Sequence, residues 1–349
     1  MESMNYKAEW CRYTLDFTFE ARTSRGSLLH KDTYFIRITA PDGRVGIGEV
    51  PLFRGLSAED SPDFERLLSE KCRNVTTALT EPEASSIAFG VASAFASMPP
   101  VGDTPRRTTP WELGHRGIPI NGLVWMGDKH LMHKRIAEKL DQGFRVIKIK
   151  IGGIDFDDEL DLIAGLRRRF SSAALELRLD ANGAFPADEA MNYLRRLEHY
   201  DIHSIEQPIK AGQIEAMAAL CAKSPIPIAL DEELIGLRTY AEKVEIVNTI
   251  KPAYLVLKPS LCGGFAEAEQ YMNIIGDNRW WVTSALESNV GLYAIAAWVS
   301  RFDIVRAQGL GTGQLYSNNI GSPLSMRDNM LWCDPQKRWQ NLNDLPWHP

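Results

Sequence analysis

VIKIKIG (146–152), LRLDANG (177–183), SIEQP (204–208), IALDEE (228–233) and YLVLKP (254–259) are short apolar runs, each carrying an ionisable residue at its end. Those residues are Lys150, Asp180, Glu206, Asp231 and Lys258, separated by steps of 30, 26, 25 and 27 residues. A strand, a helix and their two turns occupy about that length, and a closed ring of such units gathers its strand ends at one face. Five residues far apart in the chain are therefore expected to meet in one pocket.

Outward from this ladder the alternation continues. Strands are expected at Ile118–Val124, Arg145–Ile151, Leu175–Asp180, Ser204–Glu206, Ile226–Leu230, Tyr254–Lys258, Trp280–Thr283 and Ile304–Gly309. Helical patterns fill the gaps at 128–141, 157–170, 187–199, 213–223, 237–247, 264–276 and 290–301. Eight strands alternating with helices indicate an α/β fold with a closed (β/α) barrel of the TIM type. An open doubly wound sheet is the alternative, but polar residues recur after nearly every strand and not at a single switch point.

Residues 1–115 read differently, as an α+β domain. Strands are expected at Trp10–Phe19, Tyr34–Thr39 and Gly46–Val50, with a turn at Pro41-Asp42-Gly43. Helices are expected at 58–79 and 83–97, with Ser57 as N-cap of the first and Asp60 at the third position. The stretch 98–117 has four prolines and three glycines and reads as a linker, which places the barrel at 116–310. The last segment, 311–349, leaves the alternation and is expected to pack back on the first domain.

The 349 residues suit a barrel of ~250 residues with additions. A net charge of −6 with interspersed signs gives no basic face for nucleic acid. No apolar run approaches the ~20 residues that cross a bilayer, and the start, MESMNYKAEWCRYTLDF, is not expected to be a signal peptide. The five cysteines form no CxxC pair and read as reduced thiols in a cytoplasmic protein. The expected partner is a small-molecule carboxylate substrate, not a nucleic acid or a membrane.

Asp180, Glu206 and Asp231 supply oxygen ligands only, which suits Mg²⁺ or Mn²⁺ and argues against zinc. Lys148 and Lys150 lie two apart on one strand and so face the same way, into the barrel. Neighbouring ammonium groups destabilise each other's charge, which is expected to lower the pKa of at least one toward that of a usable base. Lys258 stands across the ring. A metal on carboxylate oxygens and amines on either side suit removal of the proton α to a carboxylate, because they stabilise the enediolate that forms.

KIKIG, LRLDANGAF, IEQPI, ALDEEL, LKPSLCGG and TSALESNVG, with GIGEVPLFRGLS near the N-terminus, resemble the muconate-lactonising branch of the enolase superfamily. The resemblance implies a modified barrel, (β/α)7β, under an N-terminal capping domain. It implies that Asp180, Glu206 and Asp231 bind Mg²⁺. Lys150 is implied as base and then acid, Lys148 as its support, and Lys258 as stabiliser of the enediolate. The loops Thr23–Gly26, Pro51–Ser57 and Gly309–Gly313 are similar to those of branch members that dehydrate 2-succinyl-6-hydroxy-2,4-cyclohexadiene-1-carboxylate for menaquinone biosynthesis. Ser284, Ser288, Gly309, Gly311 and Arg25 are then expected at the substrate, with Arg54 near it. Asn182, Gln207 and Glu232 are expected behind the metal acids. Racemisation of N-acylamino acids is the alternative; dipeptide epimerisation, or a barrel that binds without catalysis, fits less well.

Overall fold

A parallel sheet of seven strands curls through the middle of the protein, and the ladder residues stand at its carboxyl edge. The computed structural model describes residues 6–23, 26–81, 84–101, 108–276, 278–340, 342 and 344–348. The strands are β5 (Gly122–Val124), β6 (Val146–Lys150), β7 (Glu176–Asp180), β8 (Ser204–Glu206), β9 (Ile228–Leu230), β10 (Tyr254–Leu257) and β11 (Trp280–Val282). They pair in chain order.

Helices follow the strands on the outside: α3 (Lys129–Asp141), α4 (Phe156–Arg169), α5 (Ala190–Leu197), α6 (Ile214–Lys223), α7 (Tyr240–Ile250), α8 (Phe265–Ile275) and α9 (Asn289–Val299). Their starts follow local chemistry. Asp128 accepts the Leu131 N–H at the head of α3, and Thr239 with Glu242 forms a reciprocal capping box at α7. Branched side chains such as Ile147, Ile149, Leu177 and Leu179 pack the layer between strands and helices.

Two expected strands take a different form. The run 118–124 splits into β4 (Ile118–Pro119) and β5, because β4 turns away to pair with a C-terminal hairpin. The eighth strand shrinks to Gln308 and Gly309, which bridge to Ile120 and Thr283 and close the ring. Asn121 N–H donates to the Gln308 carbonyl at 3.0 Å, and Gly309 N–H to the Val282 carbonyl at 2.8 Å. Upstream, Val305 is 57% exposed and has no core to face.

The N-terminal sheet is antiparallel, in the order β1 (Lys7–Thr23), β2 (Gly26–Thr39) and β3 (Val45–Val50). The first hairpin is longer than expected, because the polar run before Tyr34 pairs with β1 and buries Lys31 and Thr33. Helix α1 covers only Phe64–Arg73, and α2 spans Ser85–Ser97. Pro62 restrains the residue before it from helical geometry, so the expected start near 58 fails. Ser57 is no N-cap: its hydroxyl accepts the Phe53 N–H at 2.9 Å, within a turn. Helix α2 lies close on β3, since a Cβ at Gly48 would fall 2.1 Å from the Gly90 carbonyl oxygen.

The expected linker is pinned where it is described. Trp111 is buried and its indole N–H donates to the Leu331 carbonyl at 2.9 Å. Beyond residue 310, β12 (Leu324–Arg327) and β13 (Met330–Cys333) form a hairpin. The chain then runs to β1, where Trp10 and His348 exchange backbone hydrogen bonds. No helix among the described residues is long and apolar enough to cross a membrane.

The opposite mouth of the barrel is plugged by aromatic and charged groups. Arg178 is 1% exposed, donates to Glu176 and the Ala307 carbonyl, and lies 4.5 Å over the Trp281 ring. His203 stacks on Tyr254, and its Nε2 lies 3.0 Å from Arg306. Burial pushes the His203 ring down to about 4, with Arg178 and Arg306 adding to the effect and Glu176 opposing it. An unfolded histidine takes its proton near pH 6.5, so between those values the unfolded chain binds more protons. This part of the stability is complete above 6.5 and drains away as pH falls toward 4. Urea midpoints of His203→Gln are expected to fall less than wild type between pH 7 and 4.5; parallel curves would refute the assignment.

Candidate active site

Strand register, not loop folding, brings the ladder together. Lys150 pairs with Asp180, and Asp180 with Glu206, so three of the five residues are direct neighbours across β6, β7 and β8. Asp231 and Lys258 stand one residue beyond β9 and β10. Asp180, Glu206 and Asp231 are 1%, 1% and 2% exposed.

The lysines meet the acids directly. Lys148 Nζ lies 3.0 Å from Asp180 Oδ2 and 2.9 Å from Glu206 Oε2. Lys150 Nζ lies 3.0 Å from Asp180 Oδ2 and donates to Asn182 Oδ1 at 2.6 Å. Lys258 pairs with Asp231. Burial would lower the Lys148 ammonium, but Asp180 and Glu206 outweigh it and hold it above its ordinary value. Lys258 is raised in the same way, against burial, by Asp231 first and then Glu232 and Glu206. The expected mutual depression of the lysine pair therefore does not appear at Lys148: carboxylates at about 3 Å act more strongly than the neighbouring amine.

The acids divide. Burial opposes ionisation of Asp180, yet Lys148, Lys150 and Lys258 keep it below the usual carboxylate range. Asp231 is raised well above it, by burial first; Lys258 opposes this, and Glu232, Glu206 and Asp180 add to it. Among the described residues no three His, Cys, Asp or Glu side chains converge as a metal cage would. Ammonium groups occupy the carboxylate oxygens instead. The donor set still fits a hard divalent cation. It comprises three buried carboxylates on adjacent strand ends, with oxygen as the only donor element.

Asn182, Gln207 and Glu232 link the lysines and the loops that carry the acids. Asn182 receives Lys150 and donates to Glu232 Oε1 at 3.1 Å. Gln207 accepts the backbone N–H groups of Asp231 and Glu233, which sets the loop after β9. Asn182 and Gln207 have φ of 44° and 41°, a left-handed backbone that costs on the order of 1 kcal/mol and recurs at functional sites.

A cavity of about 70 Å³ lies against these groups, walled by Lys150, Asp180, Lys258, Ser284, Gly309 and Gly311 among others. A larger cleft of about 740 Å³ runs between α2, α8 and α9, but it is lined mainly by apolar side chains and holds no comparable lysine–carboxylate group. Chemistry, not size, selects the smaller cavity.

Several substrate expectations change. Ser288 is fully buried away from the cavity, and its hydroxyl donates to Glu49 Oε2 at 2.6 Å on the N-terminal sheet. Ser284 does line the cavity, though its hydroxyl donates to Glu287. Gly309 lines the cavity, and a Cβ there would fall 2.2 Å from Thr283 Oγ1, so close strand packing also requires glycine at this position. At Gly311 the nearest atom would be 3.5 Å away. Arg25 lies outside the described residues. Arg54 is committed to Asp60 at 2.6 Å.

Several wall residues lie outside the candidates read from the sequence, among them Trp125, Phe53, Leu286 and Thr312. Trp125 follows β5 at the position the ladder residues hold after their own strands, and its ring centroid lies 5.7 Å from Lys150 Nζ. That repeat offset was a usable signal. Phe53, Leu286 and Thr312 follow no period, but each lies in a stretch that carries the resemblance: Pro51–Ser57, TSALESNVG and Gly309–Gly313. Thr312 Oγ1 is buried and makes no hydrogen bond among the described residues, which leaves it available to a ligand.

This geometry agrees with comparison to known proteins. Residues 131–324, more than half of the chain, match the enolase C-terminal domain-like family. The chain belongs to the enolase superfamily, in its muconate-lactonising branch. It is 40% identical to an o-succinylbenzoate synthase of Desulfotalea psychrophila, over 92% of this chain and 97% of that one. A crystal structure of MenC from the same organism superimposes with a TM-score of 0.79 at 36% identity, covering 94% of this chain and 99% of that one. A Thermosynechococcus elongatus o-succinylbenzoate synthase with Mg in its active site shares the fold, with a TM-score of 0.73 at 22% identity and 89% and 94% coverage.

Proposed function

We propose that this protein catalyses the o-succinylbenzoate synthase reaction, a Mg²⁺-dependent syn-dehydration of 2-succinyl-6-hydroxy-2,4-cyclohexadiene-1-carboxylate to 2-succinylbenzoate in menaquinone biosynthesis. The observation that carries the reading is Lys150. It reaches the cavity beside three buried acids and faces the Trp125 ring, with Lys258 on the far side. The 40% identical relative supports the choice of reaction.

Asp180, Glu206 and Asp231 would hold the cation, Mg²⁺ with Mn²⁺ as a substitute. When bound, it supplies Lewis-acid stabilisation to the negative charge developing on carboxylate oxygens. Lys150, deprotonated at Nζ, takes the proton from the carbon bearing the carboxylate, and the electron pair is delocalised as an enediolate. Lys148 and Lys258 stabilise that charge as buried ammonium groups. The electron pair then returns, the ring C–O bond breaks, and Lys150 returns its proton to the departing hydroxyl on the same face. Water leaves and the ring becomes aromatic, so one amine balances both proton transfers. Asn182 orients that amine, and Thr312 offers a hydrogen bond to the substrate.

Loss of diene absorbance with purified protein, substrate and Mg²⁺ tests the assignment, and absence of conversion would reject it. Chelation with EDTA is expected to cut turnover at least about 100-fold, with recovery on adding Mg²⁺. Unchanged turnover after exhaustive chelation would remove the metal from the reading. A second activity has its own support: Lys150 and Lys258 approach the cavity from β6 and β10, as a two-base racemisation of N-acylamino acids needs. Solvent deuterium entering the α-carbon of N-succinyl amino acids would register it.

A further inference from the structure

A cluster of charged residues lies outside the lysine–carboxylate site, between the N-terminal sheet and the cavity wall. Glu49, at the end of β3, is fully buried. Its Oε1 accepts the Thr33 hydroxyl at 2.7 Å and the Ser288 N–H at 2.9 Å. Its Oε2 accepts the Ser288 hydroxyl at 2.6 Å and the Gly291 N–H at 2.8 Å. A carboxylate of the sheet thus sits on the first turn of α9, where free N–H groups and the helix dipole favour an anion.

One residue before Ser288, Glu287 sets the wall. It accepts from the Ser260 and Ser284 hydroxyls, each at 2.5 Å, and from the Ala285 N–H at 2.8 Å. The next wall residue, Leu286, is held at φ 65°, a left-handed backbone that a leucine adopts only under constraint. Its N–H donates to Ser284 Oγ and its carbonyl accepts the Tyr316 hydroxyl. Lys31 is 7% exposed, and its ammonium makes no hydrogen bond among the described residues. Burial holds its ammonium below the ordinary lysine range, and the charges of Glu49, Glu287 and Asp32 oppose this only in part. A buried ammonium without hydrogen bonds is costly, and here its compensation comes from carboxylates on both sides of the contact.

We infer that Lys31 and Glu49 are positioning residues for the Ser284–Leu286 wall of the cavity, acting through Glu287 and the head of α9. Glu49 fastens the wall to the N-terminal sheet through Ser288 and Gly291, and Lys31 is the buried amine beside that contact. The catalytic consequence rests on the dehydration reading, whereas the mechanical one does not.

Lys31→Met, Glu49→Gln and the double variant separate these. Hydrogen–deuterium exchange is expected to quicken about tenfold across residues 284–291 in each variant, with β6 to β8 unchanged. KM for the cyclohexadiene substrate is expected to rise about tenfold while kcat changes less than about threefold, because the wall touches substrate and not the base. The double variant is expected to be no worse than the poorer single one, as for residues acting through one contact. Unchanged exchange at 284–291, or quickened exchange with wild-type KM, overturns the inference. Strictly additive effects overturn it too. A wild-type protein inert toward the diene rejects the dehydration reading instead, and the exchange arm still decides whether Lys31 and Glu49 hold the wall.

Discussion

Lys150→Ala is expected to lower dehydration by about a thousand-fold to ten-thousand-fold, the upper part of the range a lost general base commands. The loss should be large because the same amine serves twice, as base for the α-proton and as acid for the departing hydroxyl. Its neighbours do not replace it. Lys148 is held by both Asp180 and Glu206, and Lys258 by Asp231 on the other side of the cavity. Asp180 keeps Lys148 as a partner in the variant, so folding and metal affinity should change little. Turnover, Mg²⁺ affinity by calorimetry and the melting temperature are the three measurements. Near wild-type turnover would show that the base is elsewhere.

Glu206→Gln is expected to act twice, in opposite metal states. With Mg²⁺, the loss of one of three carboxylates should weaken binding and reduce turnover by at least about 100-fold at millimolar metal. Without metal, the variant should lose about 3 kcal/mol of stability, because removing one partner leaves a buried charge under-compensated. Both Glu206 oxygens accept from Lys148, and Asp180 then remains as the carboxylate hydrogen-bonded to that ammonium, with Asp231 acting from farther off. Urea unfolding in EDTA reads the second effect, and metal titration of turnover reads the first. If Mg²⁺ affinity and metal-free stability both stayed at wild-type values, Glu206 would be neither ligand nor counter-ion.

What could be read from the sequence follows from periodicity. Strands that repeat every 25 to 30 residues must present corresponding positions at one rim, so Asp180, Glu206, Asp231 and the lysines were identifiable before any coordinates. The barrel helices also fell close to their expected limits, because their starts use local signals such as Asp128 and the Thr239–Glu242 box, whereas α1 is shorter than expected at both ends. The misses have equally specific causes. Residues 26–33 look like a polar loop, yet they form a strand because β1 lies beside them. The eighth strand dwindles because, among the described residues, it bridges only through Gln308 to Ile120 on one side and through Gly309 to Thr283 on the other. Ser288 looked like a substrate contact from its place in the chain, but its hydroxyl faces a glutamate 239 residues earlier.

By itself, then, the sequence determined the α/β barrel, the oxygen-only acids and the lysines that flank them, since each is set by local pattern and a fixed repeat. Only the tertiary structure decided the charge balance: which lysine meets which acid, and that Asp180 faces two lysines while Glu206 and Asp231 face one each. It alone also decided the cavity wall, where Leu286 takes a left-handed backbone and Glu49 reaches the head of α9. Those contacts join residues with no common period, and their energies depend on burial and distance, which exist only once the chain has folded.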